Sequence, residues 1–295
     1  MSGETNTTDE IGPHRYRNRV ISFTLLLLAN RNAKIGIGIL IPIFTITIFA
    51  PILATQDPTA TNYGQTFAPP MLDHLFGTDQ YGRDLFSRTV YGGRTSLFVG
   101  LASVALAVAI GLPVGMFAGY YSGRADEILM RAMDVLMTFP PILLALLFLV
   151  ILTPSMNAAV LAIGIVFSPR IARVARASTL SVRDEEFVQA CQQRGESSKY
   201  IIFYEILPNI RGPIVIEATI RVGYGIMIGA ALSFLGLGVQ PPTPDWGYMI
   251  SIARNEIHNS VWMLLWPSIG LSATILGFNL LGDGLGDIMS TEYEE

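Results

Sequence analysis

Apolar positions gather into six long runs separated by polar segments: 35–54, 96–118, 128–152, 155–175, 213–235 and 261–282. Each approaches the roughly 20 residues that a helix needs to cross a hydrocarbon core about 30 Å thick. The pattern predicts a six-span, all-α integral membrane protein. The fourth run is the least regular, because Ser168-Pro169-Arg170 interrupts it near one end. Ahead of the first span, residues 1–19 are polar and read as a flexible tail. The stretch 20–29 is apolar but too short to span, and Asn30-Arg31-Asn32 closes it. It is expected to lie along the membrane surface as an interfacial helix. Polar segments fall at 55–92, 176–212 and 236–260, and the tail 289–295 is acidic. The expected units are therefore the 1–19 tail, a 20–92 unit of interfacial helix, first span and outer loop, a main bundle over 93–288, and the 289–295 tail.

Composition agrees with the runs. Of 295 residues, 51% are hydrophobic and 14% charged, against about 25% charged in an average soluble domain. A net charge of −4 argues against nucleic acid as a partner. The basic residues are unevenly placed. With the N-terminus inside, fourteen of the nineteen lie on cytoplasmic segments, four (Arg83, Arg88, Arg94, Arg254) on outer ones, and Arg221 inside the fifth span. That asymmetry predicts cytoplasmic N- and C-termini in a multi-pass cell-membrane protein.

Chemistry is harder to find. Neither lysine follows a glycine, so there is no Walker A loop, and neither a paired-histidine zinc helix nor a G-x-S-x-G elbow occurs. A single cysteine, Cys191, and three scattered histidines leave no metal cluster. The chain is expected to be non-catalytic and to take energy from a partner or an ion gradient. Two acids sit within spans beside a base at helical spacing, Asp134 after Arg131 and Glu217 before Arg221. They read either as an ion relay or as neutralised pairs that brace the bundle. Gly111, Gly115 and Gly119, and less regularly Gly223, Gly225 and Gly229, form small-residue faces suited to close helix packing or to a hinge.

The segment 180–212 carries the most information. Ser181 is placed to cap a helix opening with Asp184, Glu185 and Glu186, and Gly195 to end it in a left-handed turn. A second short helix from about Glu196 would present Tyr200, Ile201, Phe203 and Tyr204 until Pro208 stops it. Two short helices carrying aromatics on a cytoplasmic loop make either a docking surface for a soluble partner or a plain solvated loop.

This loop resembles that of binding-protein-dependent ABC importer permeases, whose pattern is Glu-Ala-Ala, three residues, Gly, nine residues, Ile-x-Leu-Pro. Here the pattern runs through Gln189-Ala190-Cys191, Gly195 and Glu205-Ile206-Leu207-Pro208. Gln189 replaces the family's Glu, Glu205 stands at the Ile position, and Gly286 stands where a basic residue is frequent. Further segments resemble the C-type permease of dipeptide, oligopeptide and nickel importers: His74-x-Phe76-Gly77-Thr78-Asp79-x-x-Gly82-Arg83-Asp84, Tyr91-Gly92-Gly93-Arg94, Arg131-x-x-Asp134 with Phe139-Pro140, the run Leu232 to Pro242, Trp246-Gly247, and Phe278 to Leu285.

The resemblance implies a type I ABC importer permease bundle. It implies a homologous permease partner, two cytoplasmic ATPase subunits that hold the ATP and Mg, and an external solute-binding protein; this chain itself holds no cofactor. Peptides are the first substrate expectation, with nickel or an ion-coupled secondary transporter as alternatives. Phe187, Gln189, Ala190, Gly195, Tyr200, Phe203 and Pro208 are the expected ATPase-coupling residues. Asp79, Arg83, Asp84 and Trp246 are the expected outer gate or binding-protein contact, with an internal salt-bridged plug as the other reading of the charged group.

Overall fold

The computed structural model describes residues 26–292, and side chains as far as 289. The 1–19 tail and most of the expected interfacial helix lie outside these residues; 26–29 are helical. The elements are α1 (Arg31–Ile48), α2 (Ala50–Leu53), α3 (Leu85–Tyr121), α4 (Gly123–Met137), α5 (Pro141–Ile151), α6 (Met156–Val182), α7 (Glu186–Gln193), α8 (Ser198–Tyr200), a π-helical stretch (Ile201–Ile206), α9 (Leu207–Phe234), α10 (Trp246–Asn255) and α11 (Trp262–Glu292). No strand forms among the described residues, only two isolated bridges, Met71 with His74 and Thr78 with Asp84.

Five helices are individually long and apolar enough to cross a membrane: α1, α3, α6, α9 with its N-terminal extension, and α11. The expected third span is different. It breaks between Met137 and Pro141, and α4 and α5 meet at 90°. Pro140 and Pro141 offer no N–H, and a residue before proline is pushed out of the helical region. Thr138 closes α4 by donating its backbone N–H to Asp134 O at 3.1 Å. Among the described residues, then, five helices are each long enough to span, and the third apolar run is a bent pair of shorter helices.

Prolines elsewhere are absorbed. Pro169 sits within α6, which runs unbroken to Val182 and takes in residues expected to be loop. Its missing N–H would leave Ile165 O unpaired, and Ser168 Oγ donates to that oxygen at 2.8 Å. Pro208 does not end a helix either. The backbone winds to a π ladder over Ile201–Ile206, Leu207 N–H reaches Ile202 O, and α9 continues to Phe234. The extra residue of a π turn lets the ladder pass a proline without a break.

The three glycines of α3 face α6. A β-carbon at Gly111 would lie 2.9 Å from Ile171 Cβ, at Gly115 2.6 Å from Ala175 Cβ, and at Gly119 2.8 Å from Thr179 Cβ. They are a packing face, and the backbones approach because no side chain separates them. Of the α9 set, Gly229 is the tight one, where a β-carbon would lie 2.9 Å from Val99 of α3; at Gly223 the nearest atom is 3.1 Å away, and at Gly225 a β-carbon would make only ordinary contacts. Around these contacts lies the main core, with Val99, Val104, Phe167, Ile171, Val222, Ile226 and Phe278 buried. A smaller apolar cluster lies at each end of the bundle.

Candidate functional site

At one end of the bundle, α7, α8 and the π stretch form the loop singled out by sequence. Its floor is apolar: Val188, Cys191, Ile201, Ile202 and Ile206 pack on Met116 of α3. Ile201, expected on the surface, is only 1% exposed. Outside this floor the loop is open, and all seven residues expected to couple to an ATPase, Phe187, Gln189, Ala190, Gly195, Tyr200, Phe203 and Pro208, are exposed. Tyr200 and Tyr204 stack at 5.1 Å, and Phe203 meets Phe117 of α3 edge to face.

Gly195 ends α7 as expected. At φ +78° it hands Glu196 N–H to Cys191 O (3.2 Å) while its own N–H reaches Gln192 O (3.0 Å), a Schellman closure. Ser181 is not the cap at the other end; it lies within α6, donating to Ser178 O, and Glu185 holds the capping position. α6 runs two turns further than its apolar run suggested, which moves the start of α7 to Glu186. Gln189 Nε2 donates to Asp184 O at 2.9 Å. An open polar cleft of about 510 Å³ lies beside it, lined by Tyr120, Arg183, Asp184, Gln189, Gln192 and Gln193. Arg183 fastens this end to α3 by donating to Gly119 O (3.1 Å) and to Ser122 Oγ.

Next to the loop, two ion pairs tie α4 to α6. Arg176 holds Asp126 through Nε and Nη2 at 2.5 and 2.6 Å, and Arg173 holds Asp134 at 2.7 Å. The expected Arg131–Asp134 pair does not form, and Arg131 faces Glu127 at 3.7 Å instead. α4 lies along the turns of α6 that carry Arg173 and Arg176, so the stronger partner comes from the neighbouring helix.

At the opposite end, residues 55–88 fold into a cap. Asp79, Arg83, Asp84 and Trp246 are all buried there. Asp79 accepts from Arg83 Nε (2.6 Å), Arg83 N (3.0 Å) and Tyr81 N (2.9 Å), and Arg88 Nε stands 3.6 Å away. Asp84 caps α3, accepting from Ser87 N (2.8 Å) and Thr55 Oγ1 (3.1 Å), while its other oxygen faces His74 Nδ1 at 3.0 Å. These charges are committed to one another in an internal plug, and they present no surface for direct contact with another protein.

Trp246 Nε1 donates to Thr89 O at 2.8 Å. Its ring lies against Gly92, Gly93 and Gly270, each at a distance where a β-carbon would press on the indole. The preceding Asp245 caps α10. It accepts from Ser96 Oγ (2.8 Å) and Tyr248 N (3.1 Å), and burial pushes its carboxyl above the ordinary range. This loop lies between α9 and α11, outside the spans.

A family model described as "Binding-protein-dependent transport system inner membrane component" matches residues 111–293, and a second, "N-terminal TM domain of oligopeptide transport permease C", matches residues 24–70. The chain belongs to the binding-protein-dependent inner membrane component family. Among similar proteins, the dipeptide transport system permease protein DppC of Alkalihalophilus pseudofirmus is 42% identical over 91% of this chain and 88% of that protein. The oligopeptide transport system permease protein OppC of Bacillus subtilis is 37% identical over 90% and 88%. A chain of the MetNI methionine ABC transporter, solved in an inward facing conformation, superposes with a TM-score of 0.55. It is 19% identical and covers 69% of this chain and 95% of its own length, so it shows a shared ABC importer permease fold.

In this inner membrane component, sequence reading reached the open face of the loop but missed Asp245, Ser96 and Arg88, which complete the cap. An available signal was Asp245 directly before an apolar-periodic segment, the position of an N-cap.

Proposed function

We propose that this chain is the permease subunit forming half of the transmembrane path of an ATP-driven importer of dipeptides or oligopeptides. It pairs with a homologous permease, two cytoplasmic ATPase subunits holding ATP and Mg, and an external binding protein that delivers the peptide. In this reading the loop end is cytoplasmic and the cap end outside, which the distribution of basic residues supports. The chain itself performs no covalent chemistry. The observation that carries the coupling role is the two-sided loop, fixed to the bundle by a buried aliphatic floor and open on the side bearing Phe187, Tyr200 and Phe203. Such a loop transmits an ATPase movement as a rigid body instead of yielding to it. The names of the similar permeases support peptide as the cargo.

The test is uptake of labelled Ala-Ala into proteoliposomes containing the whole complex. Uptake is expected to require ATP. Gly195→Leu forces a branched side chain into a left-handed backbone at a cost of about 1–2 kcal/mol, and ATP-coupled uptake is expected to fall about tenfold or more. Unchanged uptake in that variant would defeat the coupling role of the loop. Uptake driven by an ion gradient without ATP would defeat the ABC reading.

A further inference from the structure

Glu217 and Arg221 are not a brace between helices. Both belong to α9, one turn apart, with Arg221 Nε on Glu217 Oε1 at 2.6 Å. They stand at the centre of Leu207–Phe234. The next turn of α9 packs against other spans: Gly223 on Asn279 and Ile275 of α11, Gly225 on Gly100 of α3. The pair therefore lies within the spanning part of the bundle, where charge facing lipid is costly and ionisable groups mark substrate pathways. Neither side chain is sealed away; 16% of the arginine and 18% of the glutamate side chain stays open.

What is left unused points to a ligand. The single bond takes Nε and one carboxylate oxygen. Among the described residues, neither terminal guanidinium nitrogen of Arg221 and no contact at Glu217 Oε2 is otherwise engaged. The guanidinium lies over two rings, Phe167 of α6 at 5.8 Å and Tyr224 at 5.2 Å. Its outer edge is a fixed two-donor fork of the kind that grips a carboxylate. Beside it, Glu217 offers an acceptor for an ammonium group.

We propose that Glu217 and Arg221 form an intramembrane subsite for zwitterionic peptide ends, Arg221 taking a terminal carboxylate and Glu217 a terminal ammonium. This rests on the peptide-import reading and adds to it a place within the path where free termini are recognised. Tyr224 provides an aromatic wall for the intervening chain. Both partners keep their own bond, so the site stays neutral when empty.

The experiment uses the complete transporter with its binding protein in proteoliposomes. Each labelled probe (Ala-Ala, N-acetyl-Ala-Ala and Ala-Ala-amide) is supplied at a concentration that saturates the binding protein. The same binding protein serves every variant, so its selectivity cancels when a variant's uptake ratio is divided by the wild-type ratio. Arg221→Gln is expected to lower the preference for Ala-Ala over the amide about tenfold, the loss of a charge-assisted bond, and to leave the preference over the N-acetyl form in place. Glu217→Gln is expected to do the reverse, and Arg221→Lys to keep part of the carboxylate preference. If Arg221→Gln does not assemble, Arg221→Lys and Glu217→Gln give the same reading. Unchanged ratios, or both ratios collapsing together in every variant, would overturn the subsite. Absence of ATP-driven Ala-Ala uptake by the wild type would instead overturn peptide import itself.

Discussion

Asp245 shows how burial decides what a side chain does. Hydrogen bonds from Ser96, Tyr248, Ser233 and Gly247 favour its ionised form, but desolvation outweighs them and raises its carboxyl above the ordinary 3.8. The folded protein therefore keeps a proton that the unfolded chain has released. Its contribution to stability is fully present below 3.8, falls as pH rises through the window up to the raised value, and is constant above it. Asp245→Asn removes that slope. Thermal unfolding of the purified complex is expected to show the variant gaining on the wild type as pH rises from about 4 and then holding a constant lead. A gap independent of pH would mean that Asp245 is ionised in the folded state.

Asp79 is the opposite case. It is the shared acceptor for Arg83 and the neighbour of Arg88, both buried. Asp79→Ala strands these guanidinium groups and is expected to cost about 3–5 kcal/mol, read as a lower melting temperature. Asp79 and Asp245 are ordinary loop acids in the sequence. Nothing in their local pattern says that both are enclosed, because the enclosing residues, Arg88 and Ser96 among them, come from α3.

Among the elements, the α3–α6 pair is the frame of the bundle. The Gly111, Gly115 and Gly119 face is legible from its spacing, but spacing alone leaves both packing and hinge open, and the neighbours on α6 decide for packing. At Gly115 an added β-carbon would lie 2.6 Å from Ala175 Cβ and 2.9 Å from the Arg176 nitrogen, so the helices would have to separate. Gly115→Val is expected to destabilise the complex by about 1–3 kcal/mol, measured by the yield and melting temperature of the purified assembly. Gly38, which has open space around it, makes a control, and Gly38→Ala is expected to leave both within error. Prolines were legible as positions but not as outcomes. Pro169 and Pro208 lie inside continuous helices, one rescued by Ser168 and the other by a π turn, whereas Pro140-Pro141 produces a right-angle bend. A proline breaks a helix only where no neighbouring donor or change of winding satisfies the freed carbonyl.

For the whole molecule, the two ends differ in construction. The cap end is held by buried charge and an indole seated among glycines, and the loop end by a small aliphatic core that leaves aromatics outside. The proposed orientation places these ends on opposite sides of the membrane. In a Cys191→Ser background, a cysteine at Leu72, 95% exposed in the cap, is expected to react with a membrane-impermeant maleimide in intact cells, and one at Tyr204, 71% exposed, only after permeabilisation. Reaction of both from the same side would overturn the topology.

The sequence by itself determined where apolar helices lie, that the chain belongs in a membrane, which end carries the basic residues, and that the first helix of the loop ends on Gly195. These follow from local quantities: the length of an apolar run, the count of charges, and the backbone freedom of one residue. Only the tertiary structure decided that the third span bends, that Ile201 is floor and not surface, and that Asp134 answers Arg173. It alone showed that Asp79, Arg83, Asp84 and Trp246 are enclosed, while Glu217 and Arg221 stay partly open. Apart from the bend at Pro140-Pro141, these depend on what another part of the fold brings to within a few ångströms, and Trp246 and the Thr89 carbonyl that it donates to are 157 residues apart along the chain.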